Sequence, residues 1–268
     1  MIKDHPPRCP SSADSGRNCS KSDILKRIVT RRKEMKDETR PERIWRIAES
    51  GWLATRTPEF RQALREEVHV QRFEEGEYTH HIGDGPGGIY CVIEGSFGVY
   101  ASSDGAGVIL GHIFRPGAWF GQGPMTADIP RYLAFKAMEP SRILTVSLPA
   151  IDRVVRRVPD GQRQFLSLSE YNQLLMTRTI ADLLIRKADL RLASVLLRLL
   201  ESDTGSEIDG PTPCTVTQAE LSEMANVSRH TANAVLKRFA NEGWVQLGYG
   251  CIGLRDAEAL RSFALAGQ

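Results

Sequence analysis

Between residues 76 and 123 the chain carries thirteen glycines, at 76, 83, 85, 87, 88, 95, 98, 105, 107, 111, 117, 121 and 123, and this density decides the local fold class. Each glycine inside a helix costs about 1 kcal/mol relative to alanine, whereas a corner between short strands uses its freedom at positive φ. The intervening runs "VHVQRF", "GIYCVIEG", "SFGVYAS" and "VILGHIF" are β-branched and aromatic, and "RYLAFKAMEPSRILTVSL" extends the pattern to Leu148. Short strands at close spacing between Gly, Asp and Pro turns predict an antiparallel β-roll, a small jelly roll. From Pro149 the period changes. Apolar residues at 168, 171, 174, 175, 180, 183 and 184, then at 190, 192, 195, 196, 197, 199 and 200, follow helical spacing, interrupted by Thr177, Arg178 and Thr179. Strands gathered in one block and helices in the next make an α+β chain.

A Gly, Pro and Asp-rich loop is expected over residues 202–215, and it leads into "TVTQAELSEMANVSRHTANAVLKRFANEGWVQLGYG", residues 215–250. Thr217 followed by Glu220 is a capping box, and Ser228 caps a second helix after the tight "NVS" turn. On that second helix Ala232, Val235, Leu236 and Phe239 recur at i, i+3, i+4 and i+7 and face inward. His230, Ala234 and Lys237 are left opposite, with Asn233 flanking and Arg229 in the first turn. A helix-turn-helix puts such a second helix into the major groove, where Arg, Asn and Lys match the base edges. "EGWVQLGYGCIGL" reads as strand, turn and strand, a β-wing. The candidate DNA-contacting residues are therefore Thr217, Ser228, Arg229, His230, Thr231, Asn233 and Lys237.

A length of 268 residues accommodates a sensor and an output domain. Net charge of +2 excludes a strongly basic tail but not a basic face on one helix. No stretch approaches the roughly 18 apolar residues of a membrane helix, and the first residues lack an apolar signal region, so no membrane partner and a cytoplasmic location are expected. Cysteines at 9, 19, 91, 214 and 251 form no CxxC pair, which speaks against a disulfide framework or zinc ribbon. His80 and His81 are adjacent on a strand and point to opposite faces, so with Cys91 and His112 they make a poor metal site. No GxSxG, P-loop or HExxH is present, and the chain is read as a non-enzyme. Residues 1–50 are read as a tail followed by short helices broken at Pro41, with the "RRK" of residues 31–33 a solvated face.

The order of β-roll, long helix and winged helix-turn-helix resembles the cyclic-AMP receptor protein / FNR (Crp/Fnr) family of bacterial transcription regulators. The resemblance runs from about Trp52 to Leu254 and is most specific in "SRHTANAVLKRFANEGWV", which is similar to the family's Ser-Arg-x-Thr-x-x-x-x-Leu-x-x-Leu segment. It implies a cyclic-nucleotide-binding-like roll over 51–160, a long dimerisation helix and connector over 161–201, and a DNA-binding domain over 202–268, and it leaves the tail and short helices of residues 1–50 outside. It further implies a homodimer on inverted-repeat double-stranded DNA, with RNA polymerase as a partner. Arg229 falls where the family reads guanine, and Thr231 where a hydroxyl meets phosphate. His230 stands in place of a base-reading Glu and Ala234 in place of an Arg, so the family's operators do not transfer.

Nucleotide-binding members carry Phe-Gly-Glu and, about ten residues later, Arg-Ser/Thr-Ala; this chain has "WFGQGPMTADIPRYLA". Arg131 is kept, Gln122 replaces the ribose-binding Glu, and Tyr132 stands where a small hydroxyl is expected. Gly121, Gln122, Arg131, Tyr132 and Thr177 mark the expected effector pocket; a cyclic nucleotide is disfavoured there and the effector is left unidentified. Cys9 and Cys19 stand alone, so no iron–sulfur cluster is expected. The alternative function is a ligand-binding signalling module whose C-terminal domain docks a protein rather than DNA.

Overall fold

The computed structural model describes residues 41–103, 107–125, 129–200 and 214–266. The tail and the helix expected before Pro41 lie outside the described residues. The helix expected after it is α1 (Pro41–Ala48), with Pro41 at the first position, where the missing N–H is not needed. After a 3-10 turn at Gly51–Thr55 comes α2 (Pro58–Arg65). This helix lies within residues 51–160, the range that the family resemblance assigns to the roll. Thr57 caps it by accepting from the Phe60 amide at 3.3 Å, and Phe60, Ala63 and Leu64 are buried at i, i+3 and i+4.

The roll comprises β1 (His69–Phe73), β2 (Tyr78–His80), β3 (Ile89–Glu94), β4 (Phe97–Ser103), β5 (Gly107–Phe114), β6 (Trp119–Phe120), β7 (Leu133–Ala137) and β8 (Ser141–Val146). They form two antiparallel four-stranded sheets, ordered β1-β8-β3-β6 and β2-β7-β4-β5. Strand β3 shows why the roll has two cores. Its odd positions Ile89, Cys91 and Ile93 join Trp52, Phe60, Trp119 and Phe165 in one cluster, and its even positions Tyr90 and Val92 join Phe97, Phe120 and Phe135 in another. A strand covered on both faces loses polar alternation, as "IYCVIE" does. Gly88 permits the closest approach, since a Cβ there would lie 1.8 Å from the Val146 carbonyl oxygen.

Three helices follow: α3 (Leu148–Arg157), α4 (Gly161–Leu184) and α5 (Ala188–Leu200). The helical spacing read across residues 165–202 is divided at 185–187, where Ile185 is extended and Arg191 Nη1 donates to its carbonyl at 2.5 Å. The winged domain contains β9 (Cys214–Thr215), α6 (Gln218–Met224), α7 (Arg229–Asn241), β10 (Val245–Gly248), β11 (Cys251–Leu254) and α8 (Ala257–Ala266). Cys214 and Thr215 were expected to end a loop. They pair with Ile252 and Cys251 instead, which makes a third strand of the wing sheet. The rest of that loop, residues 202–213, lies outside the described residues.

The roll and the winged domain share a core. Leu110, Ile113 and Met138 of the roll cluster with Leu196 and Leu200 of α5 and with Leu221, Leu236 and Phe239. β5 is an edge strand, and α6 covers part of that edge: Glu223 Oε1 accepts from the Leu110 amide at 2.8 Å. Thr215 donates to Glu139 at 3.0 Å beside it.

Candidate nucleic-acid interface and roll cavity

The first helix of the pair starts on a complete capping box. Thr217 Oγ1 accepts from the Glu220 amide at 3.1 Å and Glu220 Oε2 accepts from the Thr217 amide at 2.7 Å. Asn226, at φ +48°, makes the turn in the left-handed region that asparagine tolerates. Ser228 Oγ then accepts from the Thr231 amide at 3.0 Å and shares a 2.8 Å hydrogen bond with the Thr231 hydroxyl. Arg191 fixes this turn from behind, with Nε on Ala225 O at 2.6 Å and Nη2 on Asn226 O at 3.1 Å. The same guanidinium holds Ile185, so the end of α4 and the turn between the two helices are joined by one side chain.

Helix α7 has a strict division of faces. Ala232, Leu236 and Phe239 are fully buried, and Phe239 packs on Trp244 and Phe263 at 5.3 and 5.5 Å between ring centroids. Arg229, His230, Ala234 and Lys237 are exposed. Arg238 is also exposed but is tied down, paired with Asp189 at 3.0 Å and lying over Phe263. Among the described residues Arg229 and Lys237 have no such partner, so their charges are available to a polyanion. Asn233 is half-buried, with Oδ1 unpartnered among the described residues. Sequence reasoning left out Tyr249. It is 98% exposed at the wing tip before Gly250 at φ +64°, and the Gly-Tyr-Gly turn was its signal.

The expected effector residues divide differently. A cleft of about 180 Å³, partly open to solvent, lies between the roll and α4, and Gly121, Gln122, Arg131 and Tyr132 all line it. Thr177 does not. It faces an open depression shared with Trp52, Arg56 and Ser167, because two residues along a helix turn a side chain by about 200°; Asn172, Thr179 and Ile180 occupy the cavity side.

Arg131 is 3% exposed and donates from Nη1 to Gly121 O at 2.7 Å and from Nη2 to Gly88 O at 3.0 Å. Its two terminal nitrogens are thus committed to backbone. Gly87 accommodates the guanidinium, since a Cβ there would strike Nη2 at 2.4 Å. Gln122 is likewise engaged, its Oε1 accepting from Asn172 Nδ2 at 2.9 Å. These residues do not fit a cyclic nucleotide as they stand: the phosphate anchor is occupied, the ribose acceptor is an amide already in use, and Tyr132 lies across Gly123 at the rim.

Two buried histidines complete the wall, and both are neutral near pH 7. Burial, reinforced by the charge of Arg131, lowers His80 to about 4. Burial and the Arg198 charge hold His112 well below its ordinary value. Arg198 Nη1 donates to His112 Nδ1 at 2.7 Å and Nε pairs with Asp182 at 2.7 Å, which links the cavity wall to α5 and the end of α4.

A roll with a cleft, followed by a long helix and a winged helix-turn-helix with an exposed basic face, defines a two-module protein with a DNA-binding head. Comparison with known proteins agrees. Residues 70–168 match the cyclic nucleotide-binding domain and residues 190–263 the Crp-like helix-turn-helix domain. Over 216 residues the chain is 23% identical to the CRP-like cAMP-activated global transcriptional regulator of Mycobacterium tuberculosis, which covers 80% of this chain and 96% of that one. Over 193 residues it is 26% identical to the Cyclic AMP receptor protein of Thermus thermophilus, covering 72% and 86%. The structure of FixK2 from Bradyrhizobium japonicum has the same fold, with a TM-score of 0.61 at 16% identity over 73% of this chain and 96% of that one. The chain belongs to the Crp/Fnr family.

Proposed function

We propose that this protein is a cytoplasmic, non-enzymatic transcription regulator that binds inverted-repeat DNA as a homodimer and works with RNA polymerase. The observation that carries the reading is helix α7: one face is fully buried, and the other presents Arg229, His230 and Lys237 with two cations unpaired among the described residues. Such a helix enters the major groove by its N-terminal turn, with Arg229 on a guanine edge and Thr231 and Lys237 near phosphates. Thr217 and Ser228, which cap the two helices, also place backbone amides at the surface, where phosphates bind.

Dimerisation is supported by the exposed apolar stripe of α4, in which Met176, Ile180 and Leu184, at i, i+4 and i+8, are 55–75% exposed. An uncovered stripe on a 24-residue helix is stabilised by a second copy, and a two-fold pair doubles the DNA footprint. The half-sites then lie about 34 Å apart, one helical turn of DNA. No helix of the described residues is long and apolar enough to cross a membrane, which accords with a cytoplasmic location.

A gel shift on a selected duplex tests this directly. Affinity should fall steeply as salt rises, in proportion to the phosphates neutralised. Salt-insensitive binding, or none, together with capture of a protein by the C-terminal domain, would favour the docking alternative. Sedimentation showing only monomer at micromolar concentration, with and without DNA, would remove the dimer.

A further inference from the structure

The DNA-binding head joins the rest of the chain through a short turn, and a turn by itself sets no angle. Helix α4 ends at Leu184 and α5 begins at Ala188, with extended backbone at Ile185 between them. The apolar core that the roll shares with the head is non-directional and tolerates small slides. Arg191 bonds the carbonyls of Ile185, Ala225 and Asn226, so it lies at the pivot itself. A bond at the pivot holds the two sides together and leaves the swing about it open.

Arg198 lies seven residues further along α5, two helical turns and about 10 Å beyond Arg191 on the same face. Its side chain is 5% exposed. Nε pairs with Asp182 Oδ2 at 2.7 Å in the last turn of α4, and Nη1 donates to His112 Nδ1 at 2.7 Å on β5. A guanidinium has no acceptor, so Nδ1 accepts and the proton of the neutral ring sits on Nε2. One planar fork with fixed donor directions thus meets α4 and the roll from the first helix of the head. β5 is held a second time two residues away, where the Leu110 amide donates to Glu223 of α6.

We propose that Arg198 is a positioning residue that sets the angle of the head on α4, and with it the spacing between the two DNA half-sites that a dimer spans. The inference rests on the regulator reading and its dimer. Arg198 touches no base and no phosphate in this arrangement. Without it each head folds and reads as before, but two heads that swing span several spacings instead of one.

Arg198→Met combined with Asp182→Leu tests this, because replacing a buried ion pair by apolar side chains is commonly neutral for stability, whereas removing one partner is not. The full chain is titrated with duplexes that carry the selected half-site once, or as an inverted repeat whose spacing is stepped one base pair at a time around one helical turn. Wild type should favour one spacing by about tenfold or more, since two linked contacts gain over one only where geometry lets both engage. The double variant should keep the urea midpoint and the single half-site affinity of wild type while its preference among spacings falls to about twofold. A role confined to packing would move the midpoint and leave the spacing preference untouched. Should the double variant fail to fold, His112→Leu, which spares the ion pair, carries the same expectation. A folded variant that keeps the wild-type spacing preference, or that loses single half-site binding, overturns this inference alone. Wild type that binds no duplex, or binds every spacing alike, removes the dimeric regulator reading and this inference with it.

Discussion

Helix α7 and the roll cavity both contain an arginine at a family position, yet the two arginines are in opposite situations. Arg229 lies exposed and unpaired among the described residues, above a helix whose other face is sealed into the core. Arg131 lies at 3% exposure with both terminal nitrogens on backbone carbonyls. The same side chain is free in one place and a strut in the other. A motif position identifies where a side chain sits; its hydrogen bonds determine what it is free to do. Arg229 is therefore open to the base contact proposed for α7, whereas Arg131 is held by the backbone of its own roll.

The comparison can be broken most forcefully through the core beneath the reader. Phe239→Ala removes a fully buried ring packed on Trp244 and Phe263 and should cost about 3–5 kcal/mol by urea denaturation, with DNA binding lost as well. Retention of stability would mean that α7 does not depend on its inner face. Replacing the strut tests the other side. Arg131→Met strips two charge-assisted hydrogen bonds from buried carbonyls and should destabilise the roll by about 3 kcal/mol. Unchanged stability would return Arg131 to the ligand-binding role.

Acidity should affect the cavity through its buried histidines. At pH above 6.5 His80 is neutral in the folded and unfolded chain alike and stability is unaffected. As pH falls from 6.5 toward about 4 the unfolded ring takes a proton that the folded one refuses, so stability declines by on the order of 2 kcal/mol and then levels off. Urea midpoints at pH 7 and pH 5 check this, with His80→Gln losing its share of the slope and His112 supplying the remainder in the same direction. The smallest effect belongs to the cap. Ser228→Ala should cost about 1 kcal/mol of stability and weaken DNA binding without altering the preferred sequence.

How legible each region was follows from the same contrast. The winged domain was readable because its signals are local: a capping box four residues wide, an N-cap, a stripe at i, i+3, i+4 and i+7, and a glycine turn. Its third strand and its last helix, α8, escaped. Cys214 and Thr215 are too few to carry a period, and their partners Ile252 and Cys251 are more than thirty residues away. The roll was readable as a class from its glycines, but the cavity was not. Its wall draws on β2, β4, β5, β7 and α4, and no spacing in the chain states that Arg131 reaches the carbonyls of Gly88 and Gly121. Thr177 was placed by likeness to the family, and the phase of α4 turns it to the other side.

Selection of binding sites from a random duplex pool, with wild type, Arg229→Ala and Thr231→Ala in parallel, tests most directly whether α7 reads sequence. Wild type should yield an inverted repeat with half-sites about one helical turn apart. Arg229→Ala should lose preference at one base pair per half-site and about 1–3 kcal/mol on the wild-type site, whereas Thr231→Ala should weaken all sequences alike. The same motif recovered from wild type and Arg229→Ala, with equal affinity for it, would contradict the account.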